Sequence, residues 1–273
     1  MEEQEKDAGL SPADEGEVLD TAMEAGHILL ENGAEIFRVE DTMRRLAKNF
    51  GVETEHFFVL SNGIFTTGDC GGERGRGWFA KVQHIPVKGA RLDKVVAVNQ
   101  LSREVEKGQY TIAEVRARLR EIREMPGKPR ALQILAAGVG SACFCFLFGG
   151  SFRDSAAAFV AGALLYAFVL FACMPHLSKI IGNVCSGGFV TVICILCCRL
   201  GLGEHLGYVI IGSIIPLVPG VPFTNGIRDI ADGDYISGAV RLMDAVMVLT
   251  CVAIGVCIVF SLYHRMFGGV ILL

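Results

Sequence analysis

Residues 131–150, ALQILAAGVGSACFCFLFGG, run for twenty positions without a Lys, Arg, Asp or Glu. A water-soluble domain covers its core with charge, whereas an uncharged run of this length suits lipid. The pattern persists to residue 273. Of 25 Lys and Arg and 29 Asp and Glu, only six of each sign lie beyond Arg130, so the net charge of -4 arises in the first part of the chain. Five apolar segments follow one another, at 131–148, 156–174, 180–198, 206–223 and 238–262, each near the roughly 20 residues that cross a hydrocarbon core. Short polar hinges separate them, among them Phe152-Arg153-Asp154 and Pro175-His176.

The first part reads differently. Residues 1–15 form an acidic tail with no basic and then apolar leader pattern, and we expect it to be disordered. From Leu19 to Phe50 apolar residues recur at helical spacing, with Asn32-Gly33 separating two helices. Residues 53–60 and 64–67 around Ser61-Asn62-Gly63 predict a hairpin, 78–87 a third strand, and 68–77 a glycine-rich loop between them. Helices at 92–107 and 111–124 complete an α+β domain over 16–125, and Met125-Pro126-Gly127-Lys128-Pro129 marks its boundary. The expected architecture is a small α+β domain followed, over 126–273, by an all-α membrane bundle of about five transmembrane helices. Arg116, Arg118, Arg120, Arg123, Lys128 and Arg130 precede the first apolar segment. The positive-inside rule therefore keeps the N-terminal domain cytosolic, and five crossings put the C-terminus outside.

Polar groups inside the apolar half carry the candidate chemistry. Pro216, Pro219, Gly220 and Pro222 cannot share one unbroken helix, because each proline removes a backbone donor and clashes with the preceding turn. Such breaks line the sites of transporters, or else mark a plain helix end. Asn225, Arg228 and Asp229 follow directly, as a polar mouth or a solvated loop. Asp244, deeper in the fifth segment, reads as a proton or ion carrier or as the partner of Arg241 one turn before it. Asn183 sits among Ser186, Gly187, Gly188 and Thr191 in the third segment, either on a substrate path or at a helix-packing seam.

Other readings are quieter. Nine of the ten cysteines lie in the apolar half and read as packing residues. Cys194, Cys197 and Cys198 share a face but lack a second ligand pair for a metal. His27, His56 and His84 show no metal or triad spacing, and the glycine-rich loop lacks a phosphate-loop ending. No nucleophile has a base beside it. Nothing implies a cofactor, a nucleic-acid partner or an enzyme; a membrane-anchored enzyme or sensor stays as the alternative.

Two stretches, GHILLENGAEIFRVE at 26–40 and PGVPFTNGIRD at 219–229 continuing through Gly233-Asp234, Ser237-Gly238 and Arg241-Leu242, resemble the threonine/serine exporter family. The likeness is to its short form, which carries only the N-terminal module. It implies secondary, proton-driven export of small polar metabolites such as threonine and serine; a related two-protein system is associated with succinate. It further implies location in the cell inner membrane and a second small membrane subunit or a homo-oligomer. The residues read from their own chemistry onto the substrate and ion path are Asn183, Pro219, Gly220, Asn225, Arg228, Asp229, Arg241 and Asp244.

Overall fold

A computed structural model describes residues 12–52, 57–72, 75–86, 89–173 and 177–267. The chain forms two compact units: Met1–Pro126 with Val221–Leu242, and Gly127–Gly220 with Met243–Leu273. Val221–Leu242, expected within the membrane bundle at 126–273, thus clusters with the first unit.

In the first unit, α1 (Pro12–Glu31) and α2 (Ile36–Asn49) pack on a three-stranded antiparallel sheet of β1 (Phe57–Leu60), β2 (Gly63–Gly72) and β3 (Gly75–His84), ordered β1-β2-β3. Helices α3 (Leu92–Glu106) and α4 (Ile112–Glu124) complete it. Pro12–Glu15, read as tail, form the first turn of α1; the rest of the tail lies outside the described residues, as do His56 and the Pro175-His176 hinge. Helix α1 is buried on most sides, through Leu19, Ala22, Met23, Ile28, Leu29 and Leu30, which makes it the centre of this core.

Its end is set by Gly33, at φ +80°. Ala34 N donates to Leu29 O and Gly33 N to Leu30 O, the paired bonds that satisfy the last carbonyls of a helix. Helix α4 begins with a reciprocal cap between Thr111 and Glu114, which also fixes its register. The expected loop at 68–77 is instead mostly strand. Pairing continues from Thr67↔Ala80 to Gly72↔Gly75, because ladder hydrogen bonds need only backbone, whatever the low strand preference of glycine.

The second unit holds α5 (Arg130–Leu147), α6 (Phe152–Phe168, followed by a π-turn at Val169–Cys173), α7 (Lys179–Arg199) and α8 (Leu206–Ile214, followed by a 3-10 turn at Ile215–Leu217). Helix α9 (Gly220–Ala231) belongs almost wholly to the first unit, while α10 (Tyr235–Phe267) contributes its start to the first and the rest to the second. Among the described residues four helices, α5, α6, α7 and α10, are long and apolar enough to cross a membrane, and five if α8 and α9 count as one broken span. The segment at 206–223 is therefore not one helix: regular structure stops at Leu217 and resumes at Gly220, where Pro219 has no N–H to give the next turn.

Small residues set the packing of this unit. A Cβ on Gly187 of α7 would collide with Val252 O of α10, and one on Gly255 with Val184 O. Two backbones in contact are what membrane helices use in place of a hydrophobic driving force. Cys145, Cys194 and Cys197 are buried, as packing residues are, and among the described residues no three Cys, His, Asp or Glu side chains are placed to hold a metal.

Asp154 is a local surprise. It lies in the expected hinge, yet its carboxylate is wholly buried. One oxygen accepts from the backbone N–H groups of Glu204 (2.6 Å) and His205 (2.8 Å). The other meets Ser151 N at 2.9 Å and His205 Nδ1 at 3.0 Å. A single side chain therefore caps α6 and ties its start to the start of α8.

Candidate functional site

Four of the eight residues read as a path converge on the turn between α1 and α2. Asn225 Nδ2 donates to Gly33 O at 2.8 Å, and Arg241 Nη2 to Ala34 O at 2.9 Å. Asp229 Oδ1 accepts from Ile36 N at 3.3 Å. Ile36 opens α2, and Glu35, its N-cap residue, provides no side-chain cap of its own. Asp229 thus supplies that cap from a helix 193 residues away, with its charge at the positive end of the α2 dipole. Arg228 pairs with Glu35.

Behind this face, Arg241 Nη1 lies 3.0 Å from Asp229 Oδ2, an ion-pair contact without hydrogen-bond geometry. Their side chains are 10% and 1% exposed, so neither charge has water to fall back on. Arg241 is consequently not the partner of Asp244, as the one-turn spacing suggests; a buried carboxylate on the neighbouring helix takes it. Glycines let α9 and α10 approach closely enough for this. A Cβ on Gly238 would sit 2.7 Å from Gly226 O, and Gly233, at φ +97°, turns the chain between the two helices.

Two further carboxyls border the site. Burial raises Glu40, opposed by its hydrogen bond from Val59 N and reinforced by the charge of Asp234. Burial also raises Asp234, with Asp232 adding to it. Acids raised on folding contribute stability that is present below their unfolded values and lost as pH rises through the folded ones. Acidification therefore favours this arrangement.

The other four residues lie in the second unit. Asp244 holds Lys179 Nζ at 2.5 and 2.6 Å from its two oxygens. Lys179 is the first residue of α7, so Asp244 sits level with the end of that span and not midway along it. Asn183 is one helical turn further in, half-buried, and makes no hydrogen bond among the described residues. Pro219 and Gly220 form the step between α8 and α9, with Gly220 N donating to Val218 O at 2.8 Å.

Sequence reading missed the receiving half of the first cluster: Gly33 O, Ala34 O, Glu35 and Ile36 N. Its only signal was the helix-ending Asn32-Gly33 pair. The two stretches that carry the family resemblance are thus the two sides of one contact.

Comparison with known proteins agrees in extent. Residues 20–263 match the family model described as "Putative threonine/serine exporter" (ThrE). The "Probable succinate transporter subunit YjjP" of Klebsiella aerogenes is 27% identical over 244 residues, covering 86% of this chain and 90% of the relative. The protein of the same description from Escherichia coli K12 is 24% identical over 247 residues, covering 88% and 93%. No solved structure matches.

Proposed function

The chain belongs to the threonine/serine exporter family, and from that membership we propose that it is the subunit of a proton-coupled exporter of small carboxylate metabolites, either hydroxy amino acids or a dicarboxylate such as succinate. It is a multi-pass membrane transporter subunit. One observation carries the proposal: the family match runs from residue 20 to residue 263, through the first unit, the broken span and α10 alike.

The path we assign lies in the second unit, along Asn183, the Pro219–Gly220 step and Asp244. Asn183 has unused hydrogen-bonding capacity at membrane depth, where polar groups are costly unless they serve a function. Protonation of Asp244 would release Lys179, so the pair acts as a proton-operated gate at one end of α7. Asn225, Arg228, Asp229 and Arg241 serve the path indirectly, by fixing α9, which begins where the break ends.

The broken segment is the shortest of the five crossings. Its nine helical residues and the three in the 3-10 turn rise about 20 Å at about 1.5 and 2.0 Å per residue, short of a core of roughly 30 Å, so it counts as a crossing only with the Val218–Pro219 step and the start of α9. The basic residues before α5 and a count of five crossings support a cytoplasmic first unit at the inner membrane, with Phe267 outside. The curated relatives are described as subunits, which supports a second membrane subunit or a second copy here.

The test is efflux from vesicles containing the chain and its co-purifying membrane partner, preloaded with labelled threonine or succinate. An imposed proton gradient should drive efflux of one of them, and Asp244→Asn should lose the response to the gradient while staying in the membrane. Absence of flux for both solutes would refute export; an unchanged gradient response in the variant would remove Asp244 from coupling.

A further inference from the structure

A second charged site lies in the first unit, away from every residue assigned above. Three periodicities converge on it. Asp20, Met23, Glu24 and His27 share one face of α1 at helical spacing, Arg116 and Arg123 share one face of α4, and Lys81 and Gln83 project from the same side of β3. Together they line a cleft of about 250 Å³, below the roughly 300–1,000 Å³ of pockets that take drug-sized ligands. The cleft is of metabolite size.

Its floor is the buried Met23 and a 2.8 Å contact between Gln83 Nε2 and His27 Nδ1. Its walls carry both signs of charge. Lys81 pairs with Asp20 at 2.6 Å, Arg116 with Glu17 at 2.9 Å, and Arg123 more loosely with Glu24 at 3.8 Å. Each pair joins two different elements, and none is buried. Partly exposed ion pairs contribute little to stability, so the convergence of five charges, Asp20, Glu24, Lys81, Arg116 and Arg123, on one concave surface is poorly explained by folding alone. For the same reason they exchange partners at low cost. A ligand carboxylate can take Arg123 and Lys81 with charge-assisted hydrogen bonds, while a ligand ammonium takes Glu24 and Asp20.

We propose that this cleft binds the zwitterion of a small α-amino acid, giving the chain a solute-sensing site separate from its transport path. A dicarboxylate offers no ammonium to Asp20 and Glu24, which would then face like charge. The proposal leans on the export reading only for its choice of probes.

The experiment is calorimetric titration of the purified full-length chain with L-threonine and, separately, succinate. Threonine should bind. Lys81→Gln and Arg123→Gln, which remove carboxylate partners, and Glu24→Gln, which removes an ammonium partner, should each weaken it roughly tenfold or more, as the loss of one charge-assisted hydrogen bond does. Unliganded melting temperatures close to wild type would show that the variants fold. Succinate binding in place of threonine, threonine binding untouched by all three changes, or no binding at millimolar threonine would each overturn the proposal. If vesicle efflux fails while the variants abolish threonine binding, export is wrong and the cleft stands; if efflux proceeds while the variants bind normally, the reverse holds.

Discussion

Arg241→Ala is expected to destabilise the protein by roughly 3–5 kcal/mol, the usual cost of stranding one partner of a buried ion pair. The substitution leaves Asp229, 1% exposed, without its cation and Ala34 O without its donor. The paired change Asp229→Asn with Arg241→Met should recover much of the loss, since replacing both charges removes the stranded one. Thermal unfolding of the detergent-solubilised Asp229→Asn, Arg241→Met and double variants, combined as a double-mutant cycle, measures this coupling. If Arg241→Ala melts with the wild type, the contact between the α1–α2 turn and α9–α10 does not hold the first unit together. Transport should fall with the fold in the single variant and return partly in the double, because the assigned role of this pair is to position α9.

Asp154→Ala should rank next. It strips a charged acceptor from the backbone N–H groups of Ser151, Glu204 and His205 together, at about 1.5–3 kcal/mol for a hydrogen bond to a charged group, reduced where water reaches the donors, since Glu204 and His205 are exposed. Asp154→Asn, which keeps one acceptor oxygen, should fall between Ala and wild type. The loss should show as a lower melting temperature and as new protease cleavage near Gly201–His205, since that loop is tied down by this carboxylate. Unchanged proteolysis in the Ala variant would mean that other contacts hold the loop.

Much of this architecture was legible in the residues. The division of α1 from α2 at Asn32-Gly33 and the broken span at Pro219 both follow from chemistry confined to a few neighbouring positions. Glycine supplies a positive φ and proline lacks a donor; neither needs a distant partner. The strands at 68–77 escaped because strand preference is read from side chains, while the pairing of Gly72 with Gly75 is a backbone matter.

The partnerships escaped for a different reason. Local spacing offers Arg241 only Asp244, three positions on, whereas its true partner Asp229 lies on the preceding helix, brought close by Gly226 and Gly238. No periodicity announces that Asp229 will cap a helix 193 residues earlier. Likewise the polar residues between the apolar segments at 206–223 and 238–262 read as a mouth or a solvated loop, whereas Asn225, Asp229 and Arg241 bond the turn from Gly33 to Ile36. The eight residues read as a path were therefore legible as unusual residues, but their division between the α1–α2 turn and the second unit required the fold.

The proposed export path requires that the interrupted segment beginning at Leu206 reach across the bilayer. A paired reporter, one enzyme active only outside the cytoplasm and one active only within it, fused after Phe267 on the full chain decides the matter. Activity of the external reporter is the predicted result, since an odd number of passages leaves the two ends on opposite faces. Activity of the internal reporter alone would mean that α8 turns back within the membrane, and the path assigned along it would have no exit.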